Sequence, residues 1–156
     1  MAAKPIDESI ILLDQQLCFM LYASSRAMTK AYQPMLKDLG LTYPQYLVMM
    51  VMWEWDQNDE PDPTVSALGR RLMLDSGTLT PLLKRLEAQS LLVRTRDVQD
   101  ERRVLLQLTK EGKALRTSAL AWVARGRDEI GQLEGYSRES VDQLREGLRA
   151  FLAQIS

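Results

Sequence analysis

One thiol, several phenols and no imidazole define the chemistry open to this sequence. Cys18 is the only cysteine of the 156 residues, and histidine is absent. Without imidazole there is no Ser-His-Asp or Cys-His arrangement, and the commonest zinc and iron ligand is missing. Enzymatic hydrolysis and metal chemistry start at a disadvantage, and we expect no cofactor and no metal. Oxidation of the thiol remains. A thiolate attacks a peroxide oxygen, becomes a sulfenic acid and releases the alcohol. Such a site needs hydrogen-bond donors, and phenolic hydroxyls supply them without adding a permanent charge. The stretch "LLDQQLCFMLYASS" is equally compatible with inert packing, because free cysteine often behaves as a small buried hydrophobe. On these residues alone both readings stay open.

The elements that must position Cys18 follow from composition and periodicity. Hydrophobic residues make up 46% and charged residues 26%, the balance of a soluble globular chain rather than a disordered one. One domain over residues 1–156 is expected. No apolar run reaches the ~18 residues of a membrane span. "MAAKPIDESI" has acids where a secretory signal has its basic-then-apolar pattern. With a single cysteine there is no internal disulfide framework, so a cytoplasmic protein without membrane partners is expected.

Residues 9–39 keep a helical apolar rhythm through Ile10, Leu13, Leu17, Leu21, Met28, Met35, Leu36 and Leu39, interrupted near Pro34 and closed by Gly40. Thr42 and Gln45 form a capping box for a helix whose centre, Leu47 to Trp53, is apolar on nearly every side. "DQNDEPDP", 56–63, is an acidic loop. Thr64 caps the short helix "VSALGRRL", and "MLD" leads into "SGTLTPLLKRLEAQ". Two strand-like runs, "VRTRD" and "RRVLLQL", flank the turn "VQDE". "LTKEGKALRTSALAWVARGRDEIGQLE" and a segment opened by Ser137 read as two further helices.

The net charge of −1 conceals an asymmetry. Residues 70–103 hold eight bases and five acids, a net +3, against −4 for the remainder. A basic middle in an acidic frame allows nucleic-acid binding at low overall pI. In the helix beginning near Ser76, Leu79, Leu82, Leu83 and Leu86 form one apolar stripe. The opposite face carries Gly77, Pro81 and Lys84, flanked by Thr78, Thr80 and Arg85, with Ser76 at the start, a pattern suited to a major groove. An ordinary charged surface helix fits that pattern as well. If the helix starts at Ser76, Pro81 removes one internal hydrogen bond.

The hairpin tips the balance. "DERRVLLQLT" carries the spacing D-x-R-x-x-x-x-x-L-T on Asp100, Arg102, Leu108 and Thr109. With the preceding "LDSGTLTPLLKRLE", it resembles the MarR family of winged-helix repressors over roughly residues 10–130. The resemblance implies a mainly α fold with a small β-wing. It places a winged helix-turn-helix region at 42–109 between N- and C-terminal dimerisation helices at 9–39 and 110–156. It also implies binding to double-stranded DNA at a palindromic operator. Asp100 and Arg102 would brace the wing, while Arg94, Arg96 and Arg103 would meet phosphate or the minor groove.

"QLCFMLY" and "AYQPMLKDLGLTYPQYLVMMVMWE" further resemble the organic-hydroperoxide-sensing repressors within that family. By that resemblance Cys18 is the peroxide sensor. Tyr32 and Tyr43 of the other subunit would hydrogen-bond it across a homodimer junction. Phe19, Leu21 and Tyr22 would form an apolar pocket wall favouring an alkyl or lipid hydroperoxide. No second cysteine exists to resolve a sulfenic acid. A low-molecular-weight thiol, a backbone nitrogen or further oxidation must follow.

Two alternatives remain. One is a MarR-type repressor governed by a phenolic or other small ligand, with Cys18 structural. The other is a thiol peroxidase, which the missing resolving cysteine and the DNA-reading module disfavour. Two features depart from the family pattern. Ser90 stands where a glycine commonly ends the recognition helix, and the acidic loop is longer than usual and has no assigned role.

Overall fold

The computed structural model describes residues 8–130 and 137–155. Two 3-10 turns, Glu8–Ile11 and Leu13–Gln15, precede α1 (Leu17–Ala31) and α2 (Gln33–Leu39). Then come α3 (Tyr43–Asn58), α4 (Val65–Leu72) and α5 (Ser76–Ala88). An antiparallel hairpin of β1 (Leu92–Arg96) and β2 (Val104–Leu108) follows, and α6 (Lys110–Ile130) and α7 (Arg138–Ile155) complete the chain. The architecture is the expected one, mainly helical with a small wing. None of the described helices is long and apolar enough to cross a membrane.

The core forms where apolar faces converge on α3. Val48, Met49, Val51, Met52 and Trp53 are buried against Leu68 of α4, Leu79, Leu83 and Leu86 of α5, and Leu92, Leu106 and Leu108 of the hairpin. The capping box that opens α3 has both arms. Thr42 Oγ1 accepts from the Gln45 amide at 3.4 Å, and Gln45 Oε1 accepts from the Thr42 amide at 2.8 Å. Asp75 and Thr64 are side-chain N-caps of α5 and α4, accepting from the amides of Thr78 and Ala67 without a reciprocal arm.

The junction between hairpin and α6 explains the L-T pair ending the wing motif. Leu108 is buried, while Thr109 Oγ1 accepts from the Gly112 amide at 3.0 Å and donates to the Ser90 carbonyl at 2.6 Å. Gly112 is required because a Cβ there would overlap the Leu91 carbonyl. Trp53 Nε1 donates to the Gly112 carbonyl at 2.8 Å from the α3 side. The first turn of α6 is thereby fixed to the core at backbone distance.

Two expectations change. The rhythm over 9–39 yields no α-helix before Leu17, and Ile11, Leu12 and Leu13 stand exposed, because none of the described residues covers that stripe. The interruption near Pro34 is present, at Tyr32, and Pro34 occupies the opening turn of α2, where a missing N–H forfeits no helical bond. The acidic loop is shorter than 56–63, since α3 continues through Asn58 and ends at Asp59 with φ 49°. Ser137 opens α7 as expected, exchanging bonds with Ser140. The expected helix through "GQLE", 131–134, lies outside the described residues.

Among the described residues, four helices end in a left-handed residue closed by a backbone bond back across the last turn: Gly40, Asp59, Met73 and Ser90. Only one is glycine. At Ser90 the closure is a full Schellman motif, with Ser90 N donating to the Glu87 carbonyl at 2.9 Å and Leu91 N to that of Leu86 at 3.0 Å. With φ at 58°, serine carries a steric cost that glycine lacks. Ser90→Gly should therefore raise stability by about 1 kcal/mol in denaturant unfolding, with an unchanged m-value.

Candidate functional site

Two groups of predicted residues lie on different parts of the molecule, and the thiol belongs to the first. Cys18 is the second residue of α1 and is exposed. The helix buries none of its residues within the chain: Leu17, Met20, Tyr22 and Met28 stay exposed, and Phe19 and Leu21 are half-covered. Tyr22 follows Cys18 by one turn. Its hydroxyl accepts from Arg26 Nη1 at 3.0 Å, and the same guanidinium sits over its ring at 5.6 Å.

Tyr32 and Tyr43 do meet. They lie on either side of α2, one at the break after α1 and one at the first position of α3, and their rings are 5.7 Å apart. A third phenol joins them that the sequence reading missed. Tyr46, buried, is 6.0 Å from Tyr32 and 6.2 Å from Trp53. Its place three residues after Tyr43, on the same helical face, was the available signal.

Burial, and then the neighbouring Tyr32, raise the Tyr43 phenol above its ordinary value. Burial raises Tyr46 further, to about 12, with Tyr32 and Tyr43 adding to it. These phenols therefore stay neutral donors through the physiological range. Within one chain Cys18 makes no hydrogen bond to Tyr32 or Tyr43 among the described residues.

The α3 end of this cluster also touches α5. Gln45, buried, reaches Gln89 at 3.5 Å, and Gln89 Nε2 donates to the Gly40 carbonyl at 2.9 Å. A helix end beside Tyr43 is thus hydrogen-bonded to the C-terminal end of α5.

The second group is the outer face of α5 and the hairpin. The helix begins at Ser76, so Pro81 lies inside it and removes one backbone donor. Thr80 Oγ1 donates to the Ser76 carbonyl at 2.7 Å. Ser76, Thr78, Thr80, Pro81, Lys84 and Arg85 are all exposed, opposite the buried Leu79, Leu83 and Leu86. Thr78 supplies its amide, and its hydroxyl at 3.3 Å, to the Asp75 carboxylate, which these bonds hold below the usual range.

The structure distributes the wing cations differently from the sequence expectation. Arg94 is bound by Glu87 of α5 through Nε at 3.0 Å and Nη2 at 2.6 Å, and its amide donates to the same carboxylate. That arginine holds the Glu87 carboxyl below its ordinary value. Arg103 pairs with Asp62, beyond the hairpin, and with Asp97 at 3.6 Å. Asp100 accepts from the Arg102 backbone amide at 3.0 Å, and no side-chain pair joins the two. Among the described residues, Lys84, Arg85, Arg96 and Arg102 have no ion-pair partner. Arg94 and Arg103 thus carry the side-chain ion pairs of the hairpin, whereas Arg96 and Arg102 have none among the described residues. Among the described residues no cluster of acids and thiol could hold a metal ion.

Comparison with known proteins agrees with this architecture. Residues 30–118 match the family of the transcriptional regulator SarA/Rot. The chain is 46% identical over 134 residues to the organic hydroperoxide resistance transcriptional regulator of Bacillus subtilis, covering 86% of this chain and 83% of that one. It is 48% identical over 105 residues to the HTH-type transcriptional regulator SarZ of Staphylococcus aureus, covering 67% and 68%. Among solved structures, AbfR of Staphylococcus epidermidis superposes with a TM-score of 0.73 at 34% identity, covering 92% of each chain. Reduced AbfR bound to DNA gives 0.72 at 33%, covering 92% of this chain and 94% of that one. The chain belongs to the MarR/SarA-type winged-helix transcriptional regulators, in the family of the organic hydroperoxide resistance regulator.

Proposed function

We propose that the protein is a dimeric, operator-binding repressor that senses organic hydroperoxides through Cys18 and then releases DNA. One observation carries this reading. An exposed thiol sits on a helix whose apolar face no described residue buries, and the same chain holds a pair of neighbouring phenols, Tyr32 and Tyr43, that its own thiol does not use. A second copy satisfies both, by covering α1 and bringing Tyr32 and Tyr43 to the partner's thiol. Exposed Leu144, Phe151, Leu152 and Ile155 on α7 supply further apolar surface for that interface.

The chemistry balances with two groups. The Cys18 thiolate attacks the terminal oxygen of a hydroperoxide, the O–O bond breaks, and the alkoxide leaves and takes up a proton as the alcohol. Sulfur loses two electrons and becomes a sulfenic acid. Phenolic donors stabilise both the thiolate and the developing alkoxide. Phe19, Leu21 and Tyr22 give an alkyl chain apolar surface. A low-molecular-weight thiol then displaces the hydroxyl as water and leaves a mixed disulfide. Its bulk at the subunit junction drives the two reading heads from the spacing that a palindromic site demands.

For DNA, α5 enters the major groove by its Ser76 end. Thr78 and Thr80 lie near base edges or phosphate, and Lys84 and Arg85 lie at the backbone. Arg96 and Arg102 face the minor groove. The related AbfR bound to DNA supports this docking.

A second reading rests on the groove beside α2, lined by Leu36, Lys37, Leu41, Tyr43 and Pro44, which would take a small aromatic ligand. Operator binding that responds to such a ligand but not to hydroperoxide would favour it.

Three outcomes test the proposal. Cys18→Ser should bind operator like the wild type in gel-shift titrations but keep binding under cumene hydroperoxide, whereas wild type treated with hydroperoxide and a small thiol should show the thiol adduct on Cys18 by mass spectrometry. A Ser variant that still releases DNA sinks the sensor role. Tyr43→Phe should slow sulfenic acid formation by about tenfold, the worth of one hydrogen bond to a charged group. Lys84→Ala should weaken binding to every sequence alike and reduce the salt slope by about one.

A further inference from the structure

The acidic connection between α3 and α4 contacts the wing at two levels. Its backbone meets β2 in an isolated β-bridge: the Leu106 amide donates to the Pro63 carbonyl at 2.7 Å, and Thr64 bridges Leu105. Its side chain Asp62 binds Arg103, the residue immediately before β2.

Every other bond of the wing loop, residues 97–103, is internal. Asp97 N donates to the Arg103 carbonyl at 3.0 Å, Arg103 N to that of Asp100 at 2.9 Å, Gln99 N to the Asp97 carboxylate at 2.9 Å, and Arg102 N to Asp100. Among the described residues, the Asp62–Arg103 pair is therefore the one polar tie from that loop to the body of the protein. The loop itself carries Asp97, Asp100 and Glu101 beside its free cation Arg102, with Val98 fully exposed at the tip. A tip with that charge mixture is not drawn to phosphate from any direction. It must be held so that cation rather than acid faces the duplex.

We propose that Asp62 is a positioning residue for DNA reading, holding the wing through Arg103 so that Arg102 and Arg96 face the minor groove. The inference rests on the wing contact in the function proposed above. Asp62 touches no DNA. Its carboxylate on its own repels phosphate, so the sign of its effect separates the two roles. Neutralising an idle acid near DNA tightens binding, whereas neutralising a positioning acid weakens it. A half-exposed ion pair contributes little to global stability, so folding is not the confounding variable.

The test is fluorescence anisotropy on a duplex selected from random sequence by the wild-type protein, between about 50 and 200 mM salt. Asp62→Asn should bind about fivefold more weakly with a salt slope flatter by about one, the signature of a lost phosphate-region cation. Arg103→Gln should lose as much, and the double variant no more than either single one, because both act through one pair. Asp62→Glu should restore binding. Equal or tighter binding by Asp62→Asn overturns the proposal, as does a loss in Arg103→Gln that Asp62→Asn does not share. Arg102→Ala reports on the underlying reading. If it binds like wild type, the wing contact fails and the proposal with it. If it weakens binding while Asp62→Asn does not, only the role of Asp62 is refuted.

Discussion

The structure depends on one close approach, where the first turn of α6 meets the turn that ends α5. Gly112 allows the two backbones to touch, Trp53 donates to its carbonyl from α3, and Thr109 bonds to both sides of the junction. Lys113, next in sequence, reaches Asp56 at 2.5 Å. The indole bond is buried and costly to break, because its partners have no water to turn to. The elements proposed to read DNA, α5 and the hairpin, precede this junction, and α6 leads away from it.

The charged residues divide by the same logic. Arginines with partners in the chain tie the hairpin to its surroundings, and Arg96 and Arg102 have no ion-pair partner among the described residues. Arg94 ties β1 to α5. Arg102 and Arg103, adjacent in sequence, fall on opposite sides of that division. A chain with net charge −1 can present a basic face because many of its carboxylates are already engaged by structural arginines or helix ends.

What was legible in the sequence was what is local. The Thr42 capping box, the stripe Leu79, Leu83 and Leu86, the hairpin and the strained Ser90 each lie within a few residues, so spacing encodes them. The split between Arg102 and Arg103 was not legible, since the deciding partner is Asp62, 41 residues away. Tyr46 was overlooked because a buried tyrosine among methionines and valines looks like core until its ring neighbours are known. The rhythm of residues 9–16 was misread for a different reason. Apolar periodicity reports that a face wants to be covered, not that the same chain covers it. The proposed pairing of Cys18 with two tyrosines rests on resemblance, and no periodicity would have suggested it.

The length of α6 has a mechanical meaning. Its 21 residues make a rod of about 30 Å, clamped at one end to the reading head. A rod clamped in that way converts angle into travel. A tilt of about 6° at the free end displaces the head by roughly 3 Å over that length, close to the rise of one base step along a strand. The clamp matters as much as the rod, because play at Gly112 would absorb the tilt before it reached α5.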